Sequence, residues 1–220
     1  MSVDQEILQL KIRLIGISPM VWRRVLVPLA ATLRELHGIL QVAMGWQSIH
    51  LYHFEIHAVR YGSFELHAAN PDIALDKLGL RRGSKFHYVY DMGDHWDHEI
   101  RVEAIDARQS KKSYPVCTGG SAICPPEDSG GVDGYLARRE EAQGYDAWMD
   151  METMTEFLQD IVAADDPSRS VSDFLSDEVE MAMERMVARK PYLDGKFSRG
   201  AVNKRFRAGA HRDLMHQQLF

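Results

Sequence analysis

The stretch KFHYVYDMGDHWDHEIRVEAI, residues 85–105, reads as two strands, 85–91 and 96–105, folded back on each other around MGDH. In the second strand Trp96, His98, Ile100 and Val102 share one face, and Asp97, Glu99, Arg101 and Glu103 share the other. That period of two is the mark of a sheet with one buried side. It also places an imidazole, His98, in register with core residues.

The same period recurs upstream. Leu8, Leu10, Ile12 and Leu14 alternate with Gln9, Lys11 and Arg13, and VWRRVLVP (21–28) forms a second run ending at Pro28. A short Gly/Ser/Pro segment joins the two, which predicts an antiparallel pair. Between that pair and the strand HLYHFEIHAV (50–59) lies TLRELHGILQVAMGW, residues 32–46. Thr32 and Glu35 have capping-box spacing, Leu33, Leu36, Ile39, Leu40 and Ala43 make one apolar face, and Gly45 suits a helix end. IALDKLGLRRG (73–83) reads as a helical turn and connector. The sum is an α+β fold: an antiparallel sheet of about five strands, a helix packed on one face, and a helical C-terminal region.

From Lys111 to about Gly134 no periodicity is visible, and the segment holds both cysteines in PVCTGGSAICPPEDSGGVDGY (115–135). A structureless run of this length in a compact domain is usually functional or disordered. Prolines fix φ and glycines open turns, so the composition points to a fixed irregular loop. Folded over the GDHW hairpin, it brings Glu127 and Asp128 near Asp94 and His98. Beyond it, YLARREEAQ, AWMDMETMTEFLQDIVAA, DFLSDEVEMAMERMVARK and VNKRFRAGAHRDLMHQQL read as helices, with Trp148, Met151, Met154, Phe157 and Leu158 spaced like a buried face. AADDPSRSVS (163–172) is the expected boundary between an α+β domain, 1–162, and a helical basic extension, 163–220.

At 220 residues with 45% apolar and 26% charged residues, the chain has the make-up of a globular domain. No apolar run is long enough to span a membrane, and the acidic N-terminus is unlike a signal peptide, so the expectation is a cytoplasmic protein with reduced cysteines and no membrane partner. The net charge of −6 is uneven: residues 185–220 hold nine Lys/Arg against Asp194 and Asp213, a balance of +7, which leaves −13 on the rest.

Several of these stretches together resemble the plasmid pRiA4b open-reading-frame-3-like family. The matching residues are strand one, Pro19 with Val21-Trp22-Arg23-Arg24, the helix leading to Gly45-Trp46, His50-Leu51 with Phe54, YDMGDHWDHEI (90–100) and the 115–135 loop, covering roughly residues 5 to 160. The resemblance implies an α+β domain of mixed architecture, found in plasmid, phage and transposon settings as well as on chromosomes. The transposon-resolvase-like label of some members finds no counterpart here, since neither a serine-recombinase nucleophile nor its arginine cluster is present. Ser129 stands where the family pattern often has a third cysteine, and LDGKFSRGAVNKRF (193–206) echoes the family's usual ending only in part.

Four chemistries compete. Cys117 and Cys124, a C-x6-C pair, with His95 and His98 are candidate zinc ligands, looser in spacing than a zinc knuckle and equally readable as packing residues. Asp91, Asp94, Glu127 and Asp128, with His98, are candidate catalytic groups that could hold Mg²⁺ for hydrolysis, or serve as turn and helix caps. Nucleophilic and phosphate-loop motifs are absent. Arg185, Arg189, Lys190, Lys196, Arg199, Lys204, Arg205 and Arg207, interleaved with aromatics, form a candidate DNA- or RNA-binding segment, or a solvated helix face. No cofactor is predicted outright, zinc and magnesium being the candidates. The reading favours a non-enzymatic accessory protein that binds nucleic acid or a protein partner, with a metal-dependent, nuclease-like hydrolase as the alternative.

Overall fold

The computed structural model describes residues 6–164, 166, 168–193 and 195–216. Seven antiparallel strands form one sheet in the order β4-β3-β5-β6-β1-β2-β7. They are β1 (Glu6–Leu14), β2 (Trp22–Pro28), β3 (Tyr52–Ile56), β4 (Val59–Gly62), β5 (Lys85–Tyr90), β6 (Trp96–Ala107) and β7 (Val116–Ser121). The helices are α1 (Leu33–Met44), α2 (Gly131–Glu141), α3 (Tyr145–Ala164), α4 (Asp177–Arg189), α5 (Arg199–Arg207) and α6 (Ala210–Leu214).

The α+β class holds, with two strands more than expected. The run 50–59 is broken because His57 and Ala58 take positive φ, so its end turns back as β4. The other addition, β7, lies inside the loop without periodicity. Its pairing with β2 needs backbone groups only, and a register shift falls between Arg24 and Val25.

The alternating faces are buried as read. Leu8, Leu10, Ile12 and Leu14 of β1 and Trp96, His98, Ile100 and Val102 of β6 are at most 1% exposed. Thr32 and Glu35 form the capping box, Glu35 N–H to Thr32 Oγ1 at 3.1 Å and Thr32 N–H to Glu35 Oε2 at 2.7 Å. Yet α1 is buried nearly all round, including His37, Gly38 and Gln41. On the sheet side His37 stacks on Tyr52 at 3.6 Å and bonds Tyr88 Oη. On the opposite side the chain's last helices return. A Cβ on Gly38 would lie 2.1 Å from the His211 carbonyl oxygen, a close approach only glycine allows.

The chain divides into two compact units, 1–132 with 195–220, and 133–194. This differs from the expected boundary at 162/163, because α5 and α6 belong with α1 and β7 in the first unit. Asn203 of α5 ties them down: its amide nitrogen donates to the Cys117 carbonyl and its oxygen accepts the Cys117 N–H, both at 2.9 Å. In the second unit Asp150 of α3 is 3% exposed and is bonded by Arg185 (2.6 Å and 3.0 Å) and Arg189 of α4. The first guanidinium, then the second, hold its carboxyl below the usual range. Unit two carries sixteen Asp/Glu against six Lys/Arg, a net −10, which puts +4 on unit one. The acidic body and basic tail of the linear sequence are thus redistributed by the fold.

One expectation for α3 fails. Phe157 is buried, but Trp148, Met151 and Leu158 are 58, 61 and 56% exposed. The α4-facing side is instead the one with Asp150 and Phe157. Among the described residues no helix is long and apolar enough to cross a membrane. The last predicted helix continues to residue 219, of which 217–219 lie outside the described residues.

Candidate metal centre

The β5–β6 turn and the proline-glycine loop meet at one place. Asp91 closes the turn in a left-handed conformation, φ 61°, and its Oδ1 accepts the N–H groups of Gly93 (2.9 Å) and Asp94 (3.3 Å). This is the local capping that Asp supplies in tight turns. The second oxygen, Oδ2, is left facing His50 Nε2 at 3.4 Å.

Three ties hold the loop on the turn. The Trp46 indole donates to the Pro125 carbonyl at 2.8 Å. Glu127 accepts the Gln47 N–H at 2.9 Å and the Tyr90 hydroxyl. Asp94 Oδ2 accepts the Gly130 N–H at 3.1 Å, and Gly131, at φ 68°, passes so close that a Cβ would be 2.5 Å from the Asp94 carbonyl. Tyr90 is the centre of this network, since its oxygen also accepts the N–H groups of Ile49 (3.0 Å) and His50 (3.3 Å). Burial first, then Glu127, push its phenol above the ordinary range, so it stays a donor. Between these ties Asp128 is held at φ 58°, with Oδ1 2.9 Å from His50 Nε2.

His50, Asp91 and Asp128 thereby present one nitrogen and two carboxylate oxygens, all within 4.8 Å of one another. The 2.9 and 3.4 Å separations are compatible with ligand spacing around an ion: bonds of about 2.1 Å place neighbouring ligands about 3.0 Å apart in an octahedron and about 3.4 Å in a tetrahedron. His50 Nε2 is buried and within ion-pair distance of both oxygens, but neither meets it in hydrogen-bond geometry. The Asp91 side chain is 8% exposed, His50 29% and Asp128 65%, so the group is closed at its base and open on the Asp128 side. Two carboxylates would balance a divalent ion, and a buried Asp91 otherwise faces no permanent cation here. Imidazole with carboxylate suits zinc or another first-row ion better than magnesium.

The other candidate residues have different placements. Asp94 and Glu127 sit beside the group but are engaged in tying the loop down. His98 is fully buried, with Nδ1 3.1 Å from the Tyr88 carbonyl, and burial lowers its pKa to about 4. It belongs to the core. His95 is exposed on the turn. Cys117 is buried with its thiol to the Gly119 carbonyl, and burial pushes the Cys124 thiol up to about 12. Among the described residues neither cysteine joins a three-donor group. His50 was missed. It opens the run read as a strand over 50–59, and only the pairing Tyr52↔Tyr90 shows that the residue two positions earlier lies level with the β5–β6 turn.

The basic segment also separates. Arg185 and Arg189 are committed to Asp150, and Arg205 donates to the Trp46 carbonyl at 3.4 Å. Lys190 is exposed in unit two, and Lys196, Arg199, Lys204 and Arg207 are exposed in unit one.

Sheet, clamped loop and three-donor group define an α+β protein whose candidate site lies where the irregular loop meets the hairpin. The chain belongs to the family described as "Plasmid pRiA4b ORF-3-like protein", which it matches over residues 6–167. It is 36% identical over 135 residues to "Uncharacterized protein y4hQ" of Sinorhizobium fredii (strain NBRC 101917 / NGR234), covering 59% of this chain and 69% of that protein. It also resembles the crystal structure of a protein of unknown function, MM3350, from Methanosarcina mazei Go1, at TM-score 0.60 and 32% identity, over 64% of this chain and 83% of that one.

Proposed function

We propose that this protein binds a divalent transition ion through His50, Asp91 and Asp128 and serves as a metal-dependent hydrolase. The supporting observation is the buried His50 Nε2, 2.9 and 3.4 Å from two carboxylate oxygens yet without a hydrogen bond to either. An ion held by three protein ligands would supply an acidic bound water and polarise a phosphoryl or carbonyl oxygen. The chain's own contribution is positional: Asp91 is fixed by its turn, Asp128 by its loop, and Tyr90 holds the backbone of His50. The open Asp128 side leaves access for a substrate. The test is metal content and zinc titration by calorimetry, followed by hydrolysis of bis(p-nitrophenyl) phosphate. About one equivalent of metal, lost in His50→Gln and Asp128→Asn, supports binding. Hydrolysis abolished in the same variants supports the enzyme, and binding without turnover leaves a metal-binding accessory protein.

Nucleic-acid binding is a second reading, and one cleft favours it. A cavity of about 310 Å³ in unit one is lined by Tyr114, Arg207, His211 and Arg212 among others, with no carboxylate in its wall. Arg108 and Lys112 lie over the Tyr114 ring at 5.6 and 5.8 Å. Cations gathered about a half-buried aromatic ring suit a phosphate backbone. Removing the chain beyond residue 185 would strip the cover from α1, so charge reversal, Arg207→Glu with Arg212→Glu, is the cleaner test. Binding of single-stranded DNA or RNA should weaken steeply with salt and drop at least tenfold in the variant. Unchanged binding in the variant rejects the cleft.

A further inference from the structure

Helix α3 has two apolar stripes and uses one. The first, with Asp150, Met154, Phe157 and Ile161, contains its two buried residues, and Asp150 is bonded to α4. The second, Trp148, Met151, Thr155, Leu158 and Val162, follows a 3-4-3-4 spacing and stays in solvent. Its four apolar members are 58, 61, 56 and 78% exposed. Tyr145, 72% exposed, extends the apolar surface at the N-terminal end. A contiguous apolar surface of this kind on a soluble protein usually marks an interaction site. Its spacing is that of a helix presenting a seam to another helix.

Charge selects the occupant. The helix carries five acids, Asp146, Asp150, Glu152, Glu156 and Asp160, and no Lys or Arg. Only Asp150 has a guanidinium partner among the described ion pairs, and Glu152, Glu156 and Asp160 are exposed. Only Glu152 flanks the stripe, but unit two as a whole carries −10, so a second copy of it would meet like charge. A helix with apolar residues at the same spacing and Lys/Arg on its other faces would be drawn to that charge instead. Met151 adds adaptable contact surface, suited to an apolar partner face.

We propose that the exposed stripe of α3 docks a basic amphipathic helix of a partner protein. The stripe carries its own reporter. Trp46 and Trp96 are at most 2% exposed and Trp22 is half-buried in unit one, whereas Trp148 lies on the stripe and its emission shifts to the blue when it is covered. The probe is a synthetic 18-residue peptide with Leu at 3-4 spacing and Lys elsewhere, titrated into the full chain, with the same peptide carrying Glu for Lys as control.

The Lys peptide is expected to shift the emission in a saturable way, with affinity falling as salt rises. The Glu peptide should not bind. Trp148→Phe should lose the optical signal, and Met151→Lys with Leu158→Lys should weaken binding at least tenfold by anisotropy of a labelled peptide. Circular dichroism confirms that the variants keep their helix. No shift with the Lys peptide overturns the proposal, as does equal binding of the Glu peptide or undiminished binding to the double variant. A blue shift that grows with protein concentration alone, with dimers in sedimentation, would assign the stripe to a second copy and equally overturn it.

Discussion

Asp91→Asn separates the two roles the Asp91 carboxylate has in this structure. Asparagine keeps Oδ1, so the acceptor for the Gly93 and Asp94 N–H groups at 2.9 and 3.3 Å survives. What is lost is the charge on an oxygen 3.4 Å from His50 Nε2, at a side chain 8% exposed. Without metal the variant should be as stable as the parent or slightly more so, because an unbalanced buried carboxylate has been neutralised. With zinc the order reverses. An ion at one hundred times its dissociation constant stabilises the folded state by about 2.7 kcal/mol. At about 2–4 °C per kcal/mol for chains of this size, the parent melt should rise by about 5–11 °C. The variant melt should barely move. Emission from buried Trp46 and Trp96 follows unit one, and chelator restores the starting curve. A zinc shift of the same size in Asp91→Asn would refute the assignment of this carboxylate as a ligand.

Three further tests address the fold. Gly38→Ala would ordinarily help a helix by about 1 kcal/mol, but its Cβ must push the His211 carbonyl away from a 2.1 Å approach. A net loss of about 2 kcal/mol or more in urea unfolding is expected, and a gain would show that α6 does not pack there. Asn203→Ala leaves the Cys117 N–H and carbonyl without their partner, which should cost about 1–3 kcal/mol. Amide exchange at Cys117 should quicken, and unchanged protection would contradict it. Burial holds His98 at about 4 and His37 at about 3, below the usual 6.5. Both folded values are depressed, so the stability present above pH 6.5 is lost as pH falls toward 4. At ~1.4 kcal/mol per pH unit of depression, His98 alone removes about 3 kcal/mol by pH 4, and a urea midpoint flat between pH 7 and 4.5 would contradict the neutral core histidines.

How much of this was legible depended on what each element asked of its side chains. The central strands β1, β2, β5 and β6 and the helix α1 bury one face or more, so burial wrote a period into their residues. β7 buries little: Thr118, Gly119 and Gly120 are only half-buried, and backbone pairing to β2 with the Asn203 clamp holds it. No hydrophobic period could have announced it. α3 shows the opposite failure. Its second stripe has the composition of a core and is exposed, because apolar spacing reports that a face wants cover without saying from which molecule.

The candidate site divides along the same line. Asp91 and Asp94 were conspicuous because a GD turn draws on carboxylates, and Glu127 and Asp128 because paired prolines and glycines make a shaped loop. Those cues say that the acids are held, not what they hold. Two of the four, Asp94 and Glu127, proved to be clamps, accepting the Gly130 N–H and the Gln47 N–H. The residue that unites the remaining two, His50, lies 41 positions before Asp91 and 78 before Asp128 in the chain. Its place is set by long-range partners: β3 pairing with β5, and the Tyr90 hydroxyl oxygen accepting its N–H. A donor group assembled across three segments has no spacing rule to betray it. The clamped backbone of the loop keeps Asp128, 65% exposed, 2.9 Å from a buried imidazole nitrogen. A loop free to relax would leave that nitrogen to water.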